Sequence, residues 1–219
     1  MRAFGTDYDG VIINIEPQKA QAFAETLNKY WRTDIKEASD FWLKKGGTSR
    51  RYKFDYFYYK VYKQQLPEED YKVIEQEYSQ LLKTKFYPQV TILPGARELL
   101  EYARAHFEFM FVSSGVPMEE INYLVNLNGV SQYFDLVLGT NQIYTSKREH
   151  FKKIIEEKRP DNIVFIADSP EDMKVTKEFS DTIALGVLTN HSEEELKNAG
   201  ADFIATDLIG IQKFFKTST

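Results

Sequence analysis

From residue 107 onward, short apolar runs alternate with helical patterns, and no other feature of the chain limits its fold as tightly. The runs are Phe107–Val112, Phe134–Leu138, Asn162–Ala167, Thr182–Leu188 and Asp202–Ala205. The helical patterns between them fall at about 117–128, 147–158, 170–179 and 192–199. Strands alternating with helices imply βαβ units and a parallel sheet. Runs that stay apolar instead of alternating suit strands covered on both faces. With a further short strand at the N-terminus, the predicted fold is α/β, a doubly wound parallel sheet of the Rossmann-like kind.

One segment breaks the alternation. Residues 16 to about 88 read as helical, with Phe23, Leu27, Tyr30 and Trp31 at helical spacing. Pro17 lies where a first helical turn tolerates it, and Pro67 followed by Glu68 and Glu69 marks another helix start. The sequence Leu93-Pro94-Gly95-Ala96, leading into a periodic helix, marks the return to the sheet. The expected organisation is a core from residues 1–15 and 90–219, with a helical domain at 16–89 inserted after the first strand.

The chemistry starts at the end of that first strand, in Thr6-Asp7-Tyr8-Asp9-Gly10-Val11. Alternate strand residues share a face, and ligands of open α/β sheets bind at the carboxyl ends of the strands. Asp7 and Asp9 are therefore aimed at a site, unless they merely solvate an Asp-Gly turn. Gly10 permits a sharp turn there. Two carboxyls in different surroundings can divide nucleophilic attack from proton transfer.

Three further groups stand at strand ends or helix starts. Ser113, Ser114 and Gly115 follow the second strand, where a hydroxyl and backbone N–H groups near a helix start make an anion site or, equally, an ordinary loop and cap. Ser146 and Glu149 form a capping-box pattern that puts Lys147 in a first helical turn. The helix dipole disfavours a cation there, so Lys147 either faces an anion or an aspartate pair, or lies solvated on the surface. The run Ile163–Ala167 ends in Asp168, and Ser169-Pro170 starts the next helix at once. Asp172 is then a capping partner of Ser169, or it orients Lys147.

These motifs, in this order, resemble those of the haloacid-dehalogenase (HAD) superfamily, and the layout resembles its core with a helical cap of the phosphoglycolate phosphatase and β-phosphoglucomutase-like branch. The resemblance covers nearly the whole chain. It implies that Asp7 is a nucleophile, Asp9 an acid–base, Ser113 a phosphoryl contact and Lys147 a neutralising cation. It also implies Mg²⁺ held by Asp7, the backbone carbonyl of Asp9, and Asp168, with Asp172 in support. The activity expected is a Mg-dependent phosphatase on a small phosphorylated metabolite. The alternatives are a sugar-phosphate mutase and a non-catalytic phosphometabolite-binding protein. Departures are mild: Thr6 before the nucleophile, Val11 for a common threonine, and Ala167 for the usual glycine.

In the helical segment, Gly47, Ser49 and Arg50 resemble a cap loop of the mutase-like members, in which the arginine meets a non-reacting phosphate. A solvated turn is the other reading. Lys44, Lys45 and Lys53 leave room for Schiff-base chemistry on a phosphonate. No role is assigned to His106, His150 or His191, which lack metal-ligand spacing; His150, close after Lys147, is the hardest to dismiss.

Bulk properties close off other classes. A net charge of −5 and a pI near 5.4 argue against a nucleic-acid surface. With no cysteine, disulfides, thiol catalysis and thiolate metal sites are excluded. No leader and no membrane-spanning run is seen, so a cytoplasmic location without membrane association is expected.

Overall fold

The computed structural model describes residues 1–45 and 48–217. The chain divides into two compact units, one of residues 1–14 and 91–219 and the other of residues 15–90.

The first unit carries a six-stranded, wholly parallel sheet. The chain enters it as β1 (Arg2–Thr6) and leaves for the second unit. There it forms α1 (Glu16–Trp31), α2 (Ile35–Lys44), α3 (Arg50–Tyr62) and α4 (Glu68–Leu81). It returns through α5 (Ala96–His106), β2 (Phe109–Pro117), α6 (Met118–Leu127), β3 (Leu136–Thr140) and α7 (Lys147–Lys158). It ends with β4 (Asn162–Ala167), α8 (Pro170–Lys177), β5 (Thr182–Val187), α9 (Glu193–Asn198), β6 (Phe203–Ala205) and α10 (Leu208–Thr217). The strand order is β3-β2-β1-β4-β5-β6. Chain order reverses direction on either side of β1, and such a switch point opens a crevice at the carboxyl ends of the strands. The loops after β1 and β4 both lie there.

Aromatic packing fixes one face of the sheet. Ala3, Phe111 and Phe165 stand on neighbouring strands in a core cluster with Phe151 and Ile154 of α7 and Met173 of α8. Phe111 lies so close to β1 that a Cβ at Gly5 would come within 2.2 Å of its ring. Gly5 thus lets a large aromatic cross the central strand. On the other face Phe4 packs against Phe107 and Phe215.

Two strands depart from the sequence reading. β3 begins at Leu136 rather than Phe134. The Asp135 carboxylate accepts the Met110 N–H at 2.8 Å and also pairs with Arg104, so that stretch is tied down by a side chain before the ladder begins. β2 runs on to Pro117, with a shift of register against β3 between Ser113 and Pro117. Ser113, Ser114 and Gly115 are therefore extended strand, not the loop expected of them, and the α6 N-terminus carries Glu119 and Glu120.

The root of the insertion is stitched within the first unit. Ile13 bridges Ile92 in antiparallel fashion, and the Leu93 N–H donates to the Ile12 carbonyl at 2.8 Å.

The second unit is helical with an aromatic centre. Phe23 contacts Trp42, Phe54 and Phe57, and Trp42 and Phe54 contact Tyr78. Pro17 occupies the first turn of α1 and Pro67 precedes α4, each where its missing N–H costs nothing.

Candidate active site

β1 delivers Asp7 to the switch point. Extending the β1–β2 register by one residue beyond Thr6 and Val112 sets Asp7 beside Ser113. The Asp7 N–H donates to the Ile166 carbonyl of β4 at 2.8 Å, which ties the start of the loop to the neighbouring strand. The Asp7 carboxylate is buried. One oxygen accepts the Tyr8 N–H at 2.6 Å and the other meets the Lys147 ammonium at 2.8 Å.

After Asp7 the chain folds into a tight turn, with Ile12 and Ile13 donating to the Tyr8 carbonyl. Asp9 stands in this turn, half buried. Gly10 is obligatory on two counts. Its φ is +77°, and a Cβ there would fall 2.2 Å from the Asp168 carboxyl carbon. That close approach brings the β1 loop against Asp168 at the end of β4.

Lys147 opens α7 as the sequence pattern requires, with the Glu149 side chain accepting the Ser146 N–H at 3.1 Å. Its ammonium is buried between Asp7 and Asp172, 2.8 and 2.7 Å away. Burial works against the charge, but Asp172 and then Asp7 outweigh it and raise the lysine above its ordinary range. Asp172 plays both parts open to it. It accepts the Ser169 hydroxyl at 2.8 Å at the start of α8, and it holds Lys147.

Charge at this place does not balance. Among the described residues, Asp7, Asp168 and Asp172 are all buried here, and Lys147 is the ammonium paired with two of them. Burial pushes Asp7 well above the usual carboxylate range, with Lys147 opposing the rise. Burial likewise lifts Asp168 to about 6. Carboxylates in this condition gain from a bound cation, and an all-oxygen donor set suits a hard one. Among the described residues no three His, Cys, Asp or Glu side chains converge as a metal cluster. The side chains that fit are Asp7 and Asp168, completed by backbone and solvent oxygen.

Several contacts at the site escaped the sequence reading. Asn190 donates to Asp168 at 2.7 Å, and His191 Nδ1 lies 3.0 Å from the Asp168 carbonyl. Both follow β5, so the sheet-edge rule that picked out Asp168 applies to them too. His150 is fully buried, with Nδ1 2.9 Å from the Ser113 hydroxyl and Nε2 3.1 Å from the Gly139 carbonyl. Burial pulls it down to about 4. Ser113 and Ser114 are buried, while Gly115 is exposed.

The helical unit treats its candidates differently. Gly46 and Gly47 lie outside the described residues. Ser49 caps α3 by accepting the Tyr52 N–H. Arg50 does not stand as a spare cation awaiting an anion. It pairs with Glu75 at 3.0 Å, donates to Ser79 at 3.2 Å, and lies over the Tyr78 ring. Lys53 is buried with its ammonium 3.7 Å from the centre of the Trp42 ring, and burial pulls it down to about 8.

No helix among the described residues is long and apolar enough to cross a membrane. Several solved structures share the fold. A predicted phosphoglycolate phosphatase from Haemophilus somnus matches with a TM-score of 0.82 at 16% identity, covering 97% of both chains. A predicted phosphatase from Clostridium acetobutylicum matches at 0.80 and 20% identity, over 99% of this chain and 98% of that one. A HAD family hydrolase from Deinococcus radiodurans, with bound phosphate and sodium, matches at 0.71 and 15% identity, over 99% and 95%. No curated protein sequence matches the chain. The model of the haloacid dehalogenase-like hydrolases matches residues 6–185, from the last residue of β1 into β5, and the chain belongs to that family.

Proposed function

We propose that the protein is a Mg-dependent phosphatase acting on a small phosphorylated metabolite, with Asp7 as nucleophile. The observation that carries this reading is the state of Asp7: buried, aimed by the Tyr8 N–H, and held against Lys147. A carboxylate so fixed cannot swing away from an incoming phosphorus, and positioning of this kind supplies much of the rate in phosphoryl transfer.

Asp7 attacks in line, so that the bond from its carboxylate oxygen to phosphorus forms as the ester P–O bond breaks. Asp9 gives its proton to the departing oxygen. It then takes a proton from the water that attacks the aspartyl phosphate, which releases inorganic phosphate and restores Asp7. Lys147 neutralises charge on the transferring group. Asp7, Asp168 and the Asp9 carbonyl would hold Mg²⁺, which when bound offsets phosphoryl charge.

Hydrolysis is preferred to a mutase reaction because the residue before Asp168 is Ala167, packed in the core, so that position offers no carboxylate beside Asp168. The test is a screen of phosphorylated metabolites with Mg²⁺, reading phosphate release by wild type and Asp7→Asn. Release by wild type alone supports the reading. Equal release by the variant, or isomerised sugar phosphate forming faster than free phosphate, overturns it.

A further inference from the structure

The Ser113–His150–Gly139 contact has only one consistent arrangement of protons. A carbonyl oxygen accepts and never donates, so the His150 Nε2 that lies 3.1 Å from Gly139 carries a hydrogen. The ring is fully buried. Its burial and the nearby Lys147 charge keep the imidazole neutral, which leaves Nδ1 as a bare acceptor. The Ser113 hydroxyl, 2.9 Å from that nitrogen, must donate to it. Ser113 has one proton, and His150 holds it.

Ser113 therefore offers oxygen lone pairs, not a donor, on its remaining side. An anion placed against that oxygen is repelled until the proton turns toward it. Turning the proton strips the fully buried His150 Nδ1 of its partner, and a buried acceptor left unpaired costs free energy.

We propose that His150 is a positioning residue that acts through Ser113, holding its hydroxyl proton so that an anion bound beside Asp7 must compete for it. This rests on the reading of Ser113 as a phosphoryl contact. Its consequence is a brake on anion affinity. The site binds product phosphate more loosely than it would with an unengaged hydroxyl, which favours release after hydrolysis.

The experiment uses the full chain and inorganic phosphate as probe. His150→Phe removes the acceptor, while His150→Asn keeps an oxygen near the Nδ1 position; both lose the bond to Gly139, so that loss cancels in the comparison. Phosphate should bind His150→Phe about fivefold more tightly than wild type, the factor that one net hydrogen bond represents. His150→Asn should stay near wild type. In a Ser113→Ala background, His150→Phe should change nothing. Weaker or unchanged phosphate binding in His150→Phe overturns the proposal, as does an effect that persists without the Ser113 hydroxyl. If His150→Phe fails to fold, nitrogen NMR of the wild-type imidazole decides. A bare Nδ1 whose resonance moves when phosphate is added supports the proposal, and a protonated or unresponsive Nδ1 overturns it. These readouts do not need turnover, so a protein without phosphatase activity would fail the functional proposal and leave this one to be judged on its own.

Discussion

Lys147 and Asp172 are joined by two short contacts, 2.7 Å to one carboxylate oxygen and 2.8 Å to the other, so the ammonium that meets Asp7 is also held independently of Asp7. Asp172→Asn keeps the volume and a partner for Ser169 but removes the charge that anchors the lysine. A charge-assisted hydrogen bond contributes about 1.5–3 kcal/mol. A fall in kcat of roughly 10–100-fold is expected, with little change in KM, because the lysine acts on charge that develops during transfer. Steady-state kinetics of the purified variant checks this. An unchanged kcat would show that Lys147 needs no second anchor.

Asp7→Asn should abolish turnover, by at least roughly 10³-fold, while leaving the fold intact. The amide matches the carboxylate in shape and can still accept the Tyr8 N–H, and it removes one of three crowded negative charges. Its Tm should equal or exceed that of wild type. A Tm several degrees lower would mean that the Asp7–Lys147 pair is needed for stability rather than placed for chemistry.

Mg²⁺ should raise the Tm, because a ligand that binds only the native state stabilises it by about 2.7 kcal/mol at 100 times its Kd. For a chain of this size that is roughly 5–10 °C. Asp168→Asn should abolish most of the shift and make activity respond to Mg²⁺ only at much higher concentration. Thermal melts with and without EDTA measure the first, and titration of activity with Mg²⁺ measures the second. Full activity after exhaustive chelation would remove the metal from the mechanism.

Lys53 gives a prediction of the opposite chemical kind. Burial lowers it from 10.5 to about 8, with Glu16 opposing and Lys19 and Arg50 adding to the effect. Between those two values the unfolded chain binds more protons at this position than the folded one, so stability should rise as pH rises through the window. Below about 8 the burial penalty is fully present. Lys53→Met should flatten that part of the profile and raise stability at neutral pH. Denaturation followed by the fluorescence of Trp42, whose ring lies beside the ammonium, reports on the right unit. Parallel pH profiles for wild type and variant would show that this lysine is not desolvated.

Where the sequence was legible, it was so because one local rule acted alone. The apolar runs marked the sheet because parallel strands are buried on both faces. The Ser-x-x-Glu pattern placed Lys147 to the residue, because a capping box leaves little freedom at a helix start. The readings that shifted were those in which a side chain from a distant element intervened. Asp135 takes the Met110 amide and delays β3. Glu75 pairs with Arg50, a contact that the cap-loop resemblance does not foresee. His150 was passed over because its partners, Ser113 and the Gly139 carbonyl, lie on two strands outside its own helix. Asn190 was passed over although it follows a strand just as Asp168 does, since an amide draws less notice than a charge.

The stitch between Ile13 and Ile92 has a consequence for how such a chain is assembled. With the two ends of the excursion fastened side by side, the parallel sheet meets the seventy-odd residues between them as a closed loop. The core has already met the entropy of closing that loop, which grows only slowly with its length. Whatever hangs from the stitch can therefore be lengthened, shortened or exchanged while Asp7, Lys147 and Asp168 keep their places. Joining residues 14 and 91 through a short glycine–serine linker should leave a sheet that still folds and still carries the same cluster of charges, now without its helical companion.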